Sequence, residues 1–318
     1  VTPPHACPNT PFCMEKAAPK PKGFGAACVS RSKEYNIRAM LYDVHTHAFH
    51  PKIVHKVLDQ LSDHYGLPAT GTGVAGDLID RIHRAGIDRA VVHTAATSPD
   101  QVIPANNWAI DLNQRYDELI GFGSIHPGFD RWEWSLDRLE QAGICGIKLH
   151  PDFQGYAMDD PAMMPIYEAM SGRFVVMIHI GDRNPPGSNP TDPYKVKRLH
   201  EQFPDLQIIA AHMGGFMHWK WVLDGLAGTD IYIDTSSTLS LIDDATLHEI
   251  VRRHPRERIL FGSDYPLFDP GAEMAELQRR LRFTDAELEQ VMTNAHTLFC
   301  SRNRVGNGQR LENIVQKM

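Results

Sequence analysis

Long apolar runs are missing from this 318-residue chain: no stretch of about 18 apolar residues occurs, so nothing in it reads as a membrane span. Cysteine is scarce. The five cysteines, at 7, 13, 28, 145 and 300, are odd in number and have neither zinc-ribbon nor disulfide-framework spacing. A reducing cytoplasm is therefore the expected compartment. Excess positive charge is absent as well. With 32 Lys and Arg against 39 Asp and Glu, the net charge is −7, which gives no reason to expect nucleic acid as a partner. The first residues show no secretory signal pattern. Residues 1–39 hold little apolar periodicity but six prolines, and they read as an extended or disordered arm. Met40 stands just before the first strand-like run, and we expect it to be the natural start, with the preceding segment an upstream extension.

Histidine, by contrast, is plentiful, with 17 residues. The stretch Met40-Leu-Tyr-Asp-Val-His-Thr-His-Ala-Phe-His-Pro51 organises the rest. Leu41, Tyr42 and Val44 favour a strand, and Pro51 is placed to open a helix. Alternation along a strand turns Asp43, His45 and His47 the same way. Neutral imidazoles two residues apart can hold one divalent cation, although a single histidine there would read as a satisfied polar core residue.

Seven further apolar runs follow: Ile87 to His93, Leu119 to His126, Ile144 to His150, Phe174 to His179, Leu206 to His212, Ile231 to Asp234 and Arg258 to Asp264. Between them lie segments with helical periodicity, over 77–84, 132–141, 161–170, 193–203 and 243–253. Thr284-Asp-Ala-Glu287 is a capping box that starts a closing helix running toward Phe299. Strands alternating with helices call for parallel pairing and right-handed crossovers. A closed (β/α)8 TIM barrel over residues 40–318 is the economical fold. An open doubly wound sheet would want a glycine-rich phosphate turn after its first strand, where this chain has histidines.

The strand ends of such a barrel share one mouth. Six of these eight runs end in histidine and two in aspartate. His179 completes a nitrogen face with His45 and His47. Asp264, a carboxylate at the end of an apolar strand, needs a partner or a metal. It suits both a fourth ligand and a proton-transfer group. His212 suits a base or a group polarising a substrate carbonyl. Lys148 and His150 share a face; the lysine either binds a substrate carboxylate, is carbamylated to bridge two metals, or pairs with an acid such as Asp43. His93 and His126 are weaker candidates. The segment from Gly181 to Tyr194 reads as a semi-rigid lid carrying Arg183, a candidate carboxylate anchor, and Phe216 to Trp221 as an aromatic wall.

Taken in order, Asp-x-His-x-His, Gly-Ile-Lys-Leu-His-Pro, Ile-His-Ile-Gly, Ala-His-Met-Gly-Gly and Phe-Gly-Ser-Asp-Tyr-Pro resemble the amidohydrolase-2 branch of the amidohydrolase superfamily, as does Asn294-Ala-His-Thr-Leu-Phe299. The resemblance covers residues 40–300. It implies a distorted TIM barrel with a divalent metal, zinc being the expected ion. It also implies His45, His47, His179 and Asp264 as ligands and His212 as the catalytic histidine. The branch holds hydrolases of amides, esters and lactones, and non-oxidative decarboxylases. Lys148-x-His150 departs from the decarboxylases, and their longer insertions are lacking here. The leading expectation is thus a hydrolase of a small carboxylated metabolite that uses a metal-activated water, with decarboxylation as the alternative and a non-catalytic metabolite-binding barrel as a third reading. The expected partner is a small-molecule substrate, with no nucleic acid and no membrane; a homo-oligomer is compatible with the sequence.

Overall fold

The computed structural model describes residues 39–300. Apart from Ala39, the expected N-terminal arm and its cysteines lie outside the described residues, and so does the stretch after 300. The strands are β1 (Tyr42–Thr46), β2 (Arg89–Val92), β3 (Leu119–Gly121), β4 (Gly123–Ser124), β5 (Gly146–Leu149), β6 (Val175–Ile178), β7 (Gln207–Ala210), β8 (Tyr232–Asp234) and β9 (Ile259–Leu260), with helices in the crossovers. All pair in parallel, in the runs β1-β2-β3 and β4-β5-β6-β7-β8-β9. β3 and β4 are one barrel strand interrupted at Phe122, so the eight runs become the eight staves of an α/β barrel. At the other seam, Val44 N–H donates to the Phe261 carbonyl at 2.8 Å and Asp264 N–H to the His45 carbonyl at 2.8 Å, joining the first strand to the last.

The interruption at Phe122 has a local cause. The Gly121 N–H donates to the Asn113 side chain. The Ser124 N–H donates to Asn106 Oδ1 at 2.7 Å, and Asn106 Nδ2 donates back to the Ser124 carbonyl at 3.1 Å and to Ser135 Oγ at 2.9 Å. Side chains of helix Val102–Arg115 thus take over bonds that a strand ladder would make. Asn106 is fully buried. Asn106→Ala leaves two buried backbone groups of Ser124 without partners and is expected to lower stability by about 1–3 kcal/mol, read as a lower denaturant midpoint.

Strand alternation sorts side chains into two cores. On β6, Val176 and Ile178 pack outward under the helices, while Val175 and Met177 join the inner cluster with Phe299 of the closing helix His296–Cys300. The next inward residue is His179. On β5, Ile147 and Leu149 belong to the outer core, which leaves Lys148 on the inner side.

The helices follow the sequence pattern closely at Trp132–Gln141, Pro193–Gln202 and Asp244–Arg253. The capping box of Thr284 and Glu287 is formed, and Gly86 ends its helix in the left-handed region. Several boundaries differ. The closing helix breaks at Asn294 and Ala295 into Asp285–Thr293 and His296–Cys300. The stretch over 161–170 splits into a 3₁₀ turn, Pro161–Met163, and a helix, Met164–Met170, because Pro165 has no N–H and fits only the first turn of a helix. Pro51 lies in a turn, and the helix begins at Val54. No helix among the described residues is long and apolar enough to cross a membrane.

Candidate metal centre

His45 and His47 leave β1 and meet Asp264, which follows β9. His47 Nε2 lies 3.1 Å and His45 Nε2 3.7 Å from Asp264 Oδ1. The three side chains can offer ligand atoms within 4.8 Å of one another. His212 joins from the end of β7: its Nε2 is 2.9 Å from His179 Nδ1, and its ring is 5.0 Å from that of His45. Both His212 and Asp264 have left-handed backbones, with φ of 62° and 63°. Non-glycine residues adopt this conformation rarely and at a cost, and here it turns each side chain from its strand end into the mouth.

The outer nitrogen of every one of these imidazoles is occupied by an acceptor. His45 Nδ1 lies 3.0 Å from Asp234 Oδ2, His47 Nδ1 3.0 Å from the His93 carbonyl, His179 Nε2 3.1 Å from the Gly181 carbonyl and His212 Nδ1 3.0 Å from the Ser236 carbonyl. Carbonyls only accept, so the proton of each neutral ring sits on that outer nitrogen. Ser236 Oγ donates to the second oxygen of Asp234 and stands 2.9 Å from His45 Nδ1, which keeps the same tautomer. Lone pairs are therefore left on the inner nitrogens of His45, His47, His179 and His212. Those of His179 and His212 face each other across 2.9 Å. Two lone pairs at that distance repel unless positive charge stands beside them. The donor set fits a divalent metal.

The ionisation states agree with this. Burial, reinforced by Lys148, lowers His45 to about 4, so its ring is neutral at pH 7. Burial also lowers His212, and it holds His179 and His150 well below the ordinary imidazole range. For Asp264 burial pushes upward, and positive charge on His45 and His47 would hold it well below its usual range; with those rings neutral, a metal ion would supply that charge. Asp234 is likewise lowered, burial being outweighed by its pairing with His45.

The other candidates are engaged in different ways. Asp43 is buried with Oδ1 accepting from the N–H groups of His45 and Ser263. His150 stacks between Phe153 and His179, at 4.0 and 3.9 Å between ring centres, and forms a separate group with Asp152 and His179. Lys148 Nζ points to His45 Nε2 at 3.1 Å. His93 Nε2 bonds the Val44 carbonyl at 2.8 Å, and His126 Nε2 the Gln154 carbonyl at 3.0 Å. Arg183 turns away: its guanidinium donates to the carbonyls of His64 and Tyr65, at the end of helix Val54–Tyr65, at 3.3 and 3.5 Å. Phe216 does form a wall, 5.8 Å from the His212 ring and 6.3 Å from that of His179.

Sequence reasoning assigned no role to Asp234 or Ser236. The signal was present, since the seventh run ends in aspartate as the eighth does. Asp234→Asn removes the charge that orients His45 and is expected to weaken metal affinity about 10- to 100-fold, measured by competition with a chelator. Unchanged affinity would show that Asp234 serves the fold alone.

Several solved structures share the fold at low sequence identity. An uncharacterised TIM-barrel protein from Bordetella bronchiseptica matches with a TM-score of 0.64 and 17% identity, over 83% of this chain and 99% of its own. The 2,6-dihydroxybenzoate decarboxylase from Rhizobium matches with a TM-score of 0.60 and 16% identity, over 82% of this chain and 98% of its own. The 5-carboxyvanillate decarboxylase from Novosphingobium aromaticivorans, solved with bound manganese and 3-methoxy-4-hydroxy-5-nitrobenzoic acid, also gives 0.60 and 16%, over 82% and 97%. A comparison with curated proteins finds no match. The amidohydrolase family model, that of the amidohydrolase-2 branch, matches residues 42–299, from the first residue of β1 into the closing helix, and the chain belongs to that family.

Proposed function

We propose that the chain is a metal-dependent lyase that removes carbon dioxide from a small carboxylated phenol. The observation that carries this reading is the aromatic wall beside the cluster of lone pairs. Tyr65 lies 5.9 Å from Phe216 and 6.2 Å from Phe153, and Phe216 flanks His179 and His212. Flat rings around a polar centre suit a flat ring as ligand. The decarboxylases named above support it through their shared fold. The sequence leans toward hydrolysis; the solved decarboxylases that share this fold favour the lyase instead.

His45, His47, His179 and Asp264 would hold the ion, which supplies positive charge against the substrate's oxygens. Zinc and manganese both suit these ligands. Asp264, ionised and bonded by the Ser237 hydroxyl, can accept the phenol proton and return it to the ring carbon that carries the carboxylate. His212 faces the same space and can orient the substrate. Tyr65, Phe153 and Phe216 exclude water from the ring.

The test is direct. Purified protein loaded with zinc or manganese is incubated with 2,6-dihydroxybenzoate and 5-carboxyvanillate, and released carbon dioxide is followed by mass spectrometry. Release that depends on the metal is expected. Hydrolysis is the second reading, favoured by an Asp264 that is already ionised and so able to take a proton from water. Turnover of an ester, amide or lactone panel without any carbon dioxide would establish it instead.

A further inference from the structure

Lys148 is 1% exposed, yet among the described residues no carboxylate oxygen lies within 4.0 Å of its Nζ. Its hydrogen-bond partner is His45 Nε2, 3.1 Å away. That nitrogen carries one of the lone pairs turned toward the metal centre. Once that pair is given to a metal ion, the ammonium loses its acceptor and stands beside a like charge. A buried ammonium in that position requires an anion. Arg183, the other cation considered for the substrate, is tied to the end of helix Val54–Tyr65.

We propose that Lys148 is the ionic partner of the substrate's phenolate oxygen, the atom that receives the electron pair when carbon dioxide leaves. This rests on the reading of the site as a decarboxylase of carboxylated phenols. The departing carboxylate is the wrong partner for an ammonium, because it loses its charge on becoming carbon dioxide, and a cation bound to it would stabilise the ground state. In the step that releases carbon dioxide the ring-ketone oxygen regains its negative charge, and a cation there favours that transition state.

The balance is as follows. The phenol O–H bond breaks and its proton passes to Asp264, leaving a phenolate beside Lys148. Asp264 then delivers that proton to the ring carbon bearing the carboxylate, forming a C–H bond while the phenolate oxygen becomes a ring ketone. The C–C bond to the carboxylate breaks, its electron pair restores the aromatic ring and the phenolate, and carbon dioxide departs. No oxidant or reductant is needed, and Asp264 ends ionised as it began.

Two chromogenic probes test this on the metal-loaded full chain. One is 5-nitrosalicylate, a carboxylated phenol whose ionised form absorbs at longer wavelength; the other is 4-nitrobenzoate, which has the carboxylate but no hydroxyl. At pH 7 the wild-type protein is expected to bind 5-nitrosalicylate as the phenolate. Lys148→Met, checked for metal content, is expected to weaken that binding about 10- to 100-fold and diminish the phenolate band, and to leave 4-nitrobenzoate affinity unchanged. Lys148→Arg, which keeps the charge, is expected to restore part of the band. Equal weakening of both probes would place Lys148 on the carboxylate and overturn the proposal, as would no change in either. Should Lys148→Met not fold, the wild-type spectrum still decides: a bound probe with its phenol protonated refutes the proposal. If neither probe binds the wild-type protein, the substrate reading falls and this proposal with it.

Discussion

In the His45→Ala protein, metal content after loading and desalting is expected to fall from one ion per chain toward zero, and turnover to fall by roughly 10³-fold or more. His45 is the residue on which the most contacts converge. Its Nδ1 is 3.0 Å from Asp234 and 2.9 Å from Ser236, and its Nε2 is 3.1 Å from Lys148 and 3.7 Å from Asp264. Truncation removes one lone pair outright and leaves the buried Asp234 and Lys148 each short of a partner. In the proposed ligand set, three nitrogens and one oxygen leave little redundancy. His47→Ala and His179→Ala are expected to behave alike. Elemental analysis decides each case, and full occupancy after any of these changes would remove that residue from the ligand set.

The second large effect separates Asp264 from His212. Asp264→Asn keeps the shape but removes a negative charge and a proton carrier, so turnover is expected to fall by about 10²–10⁴-fold, with weaker metal binding. The Ser237 hydroxyl still has an oxygen to donate to, so the fold should persist. His212→Asn is expected to lower turnover over a similar range while metal occupancy stays near normal, because the proposed reading puts His212 on the substrate side. The 2.9 Å approach of His212 Nε2 to His179 Nδ1 makes this a demanding test. If His212→Asn empties the site as thoroughly as His45→Ala, His212 is a ligand, and metal-to-protein stoichiometry would then distinguish one enlarged site from two.

The barrel was legible because its eight strands are short apolar runs broken by amphipathic helices, and period-2 and period-3.6 patterns survive in one dimension. The interruption at Phe122 was not, since it depends on Asn106 and Asn113 reaching across from a helix. For the same reason the sequence offers Arg183 as an anchor: a cation in a long loop carries no mark of where its guanidinium will dock.

The sequence by itself determined which residue types arrive at the barrel mouth, because each strand's last residue is set by chain order and alternation. His45, His47 and His179 needed only that; His212 and Asp264 also take the left-handed backbone that turns them into the mouth. Tertiary structure alone decided what each of them faces. The outer nitrogens are committed to Asp234 and to the carbonyls of His93, Gly181 and Ser236, residues that in three of the four cases come from another strand or its following loop. That commitment leaves the lone pairs pointing inward and Lys148 without a carboxylate within 4.0 Å among the described residues. Hydrogen-bond direction and the pairing of buried charge depend on distances of about 3 Å between residues far apart in the chain, which no local pattern records.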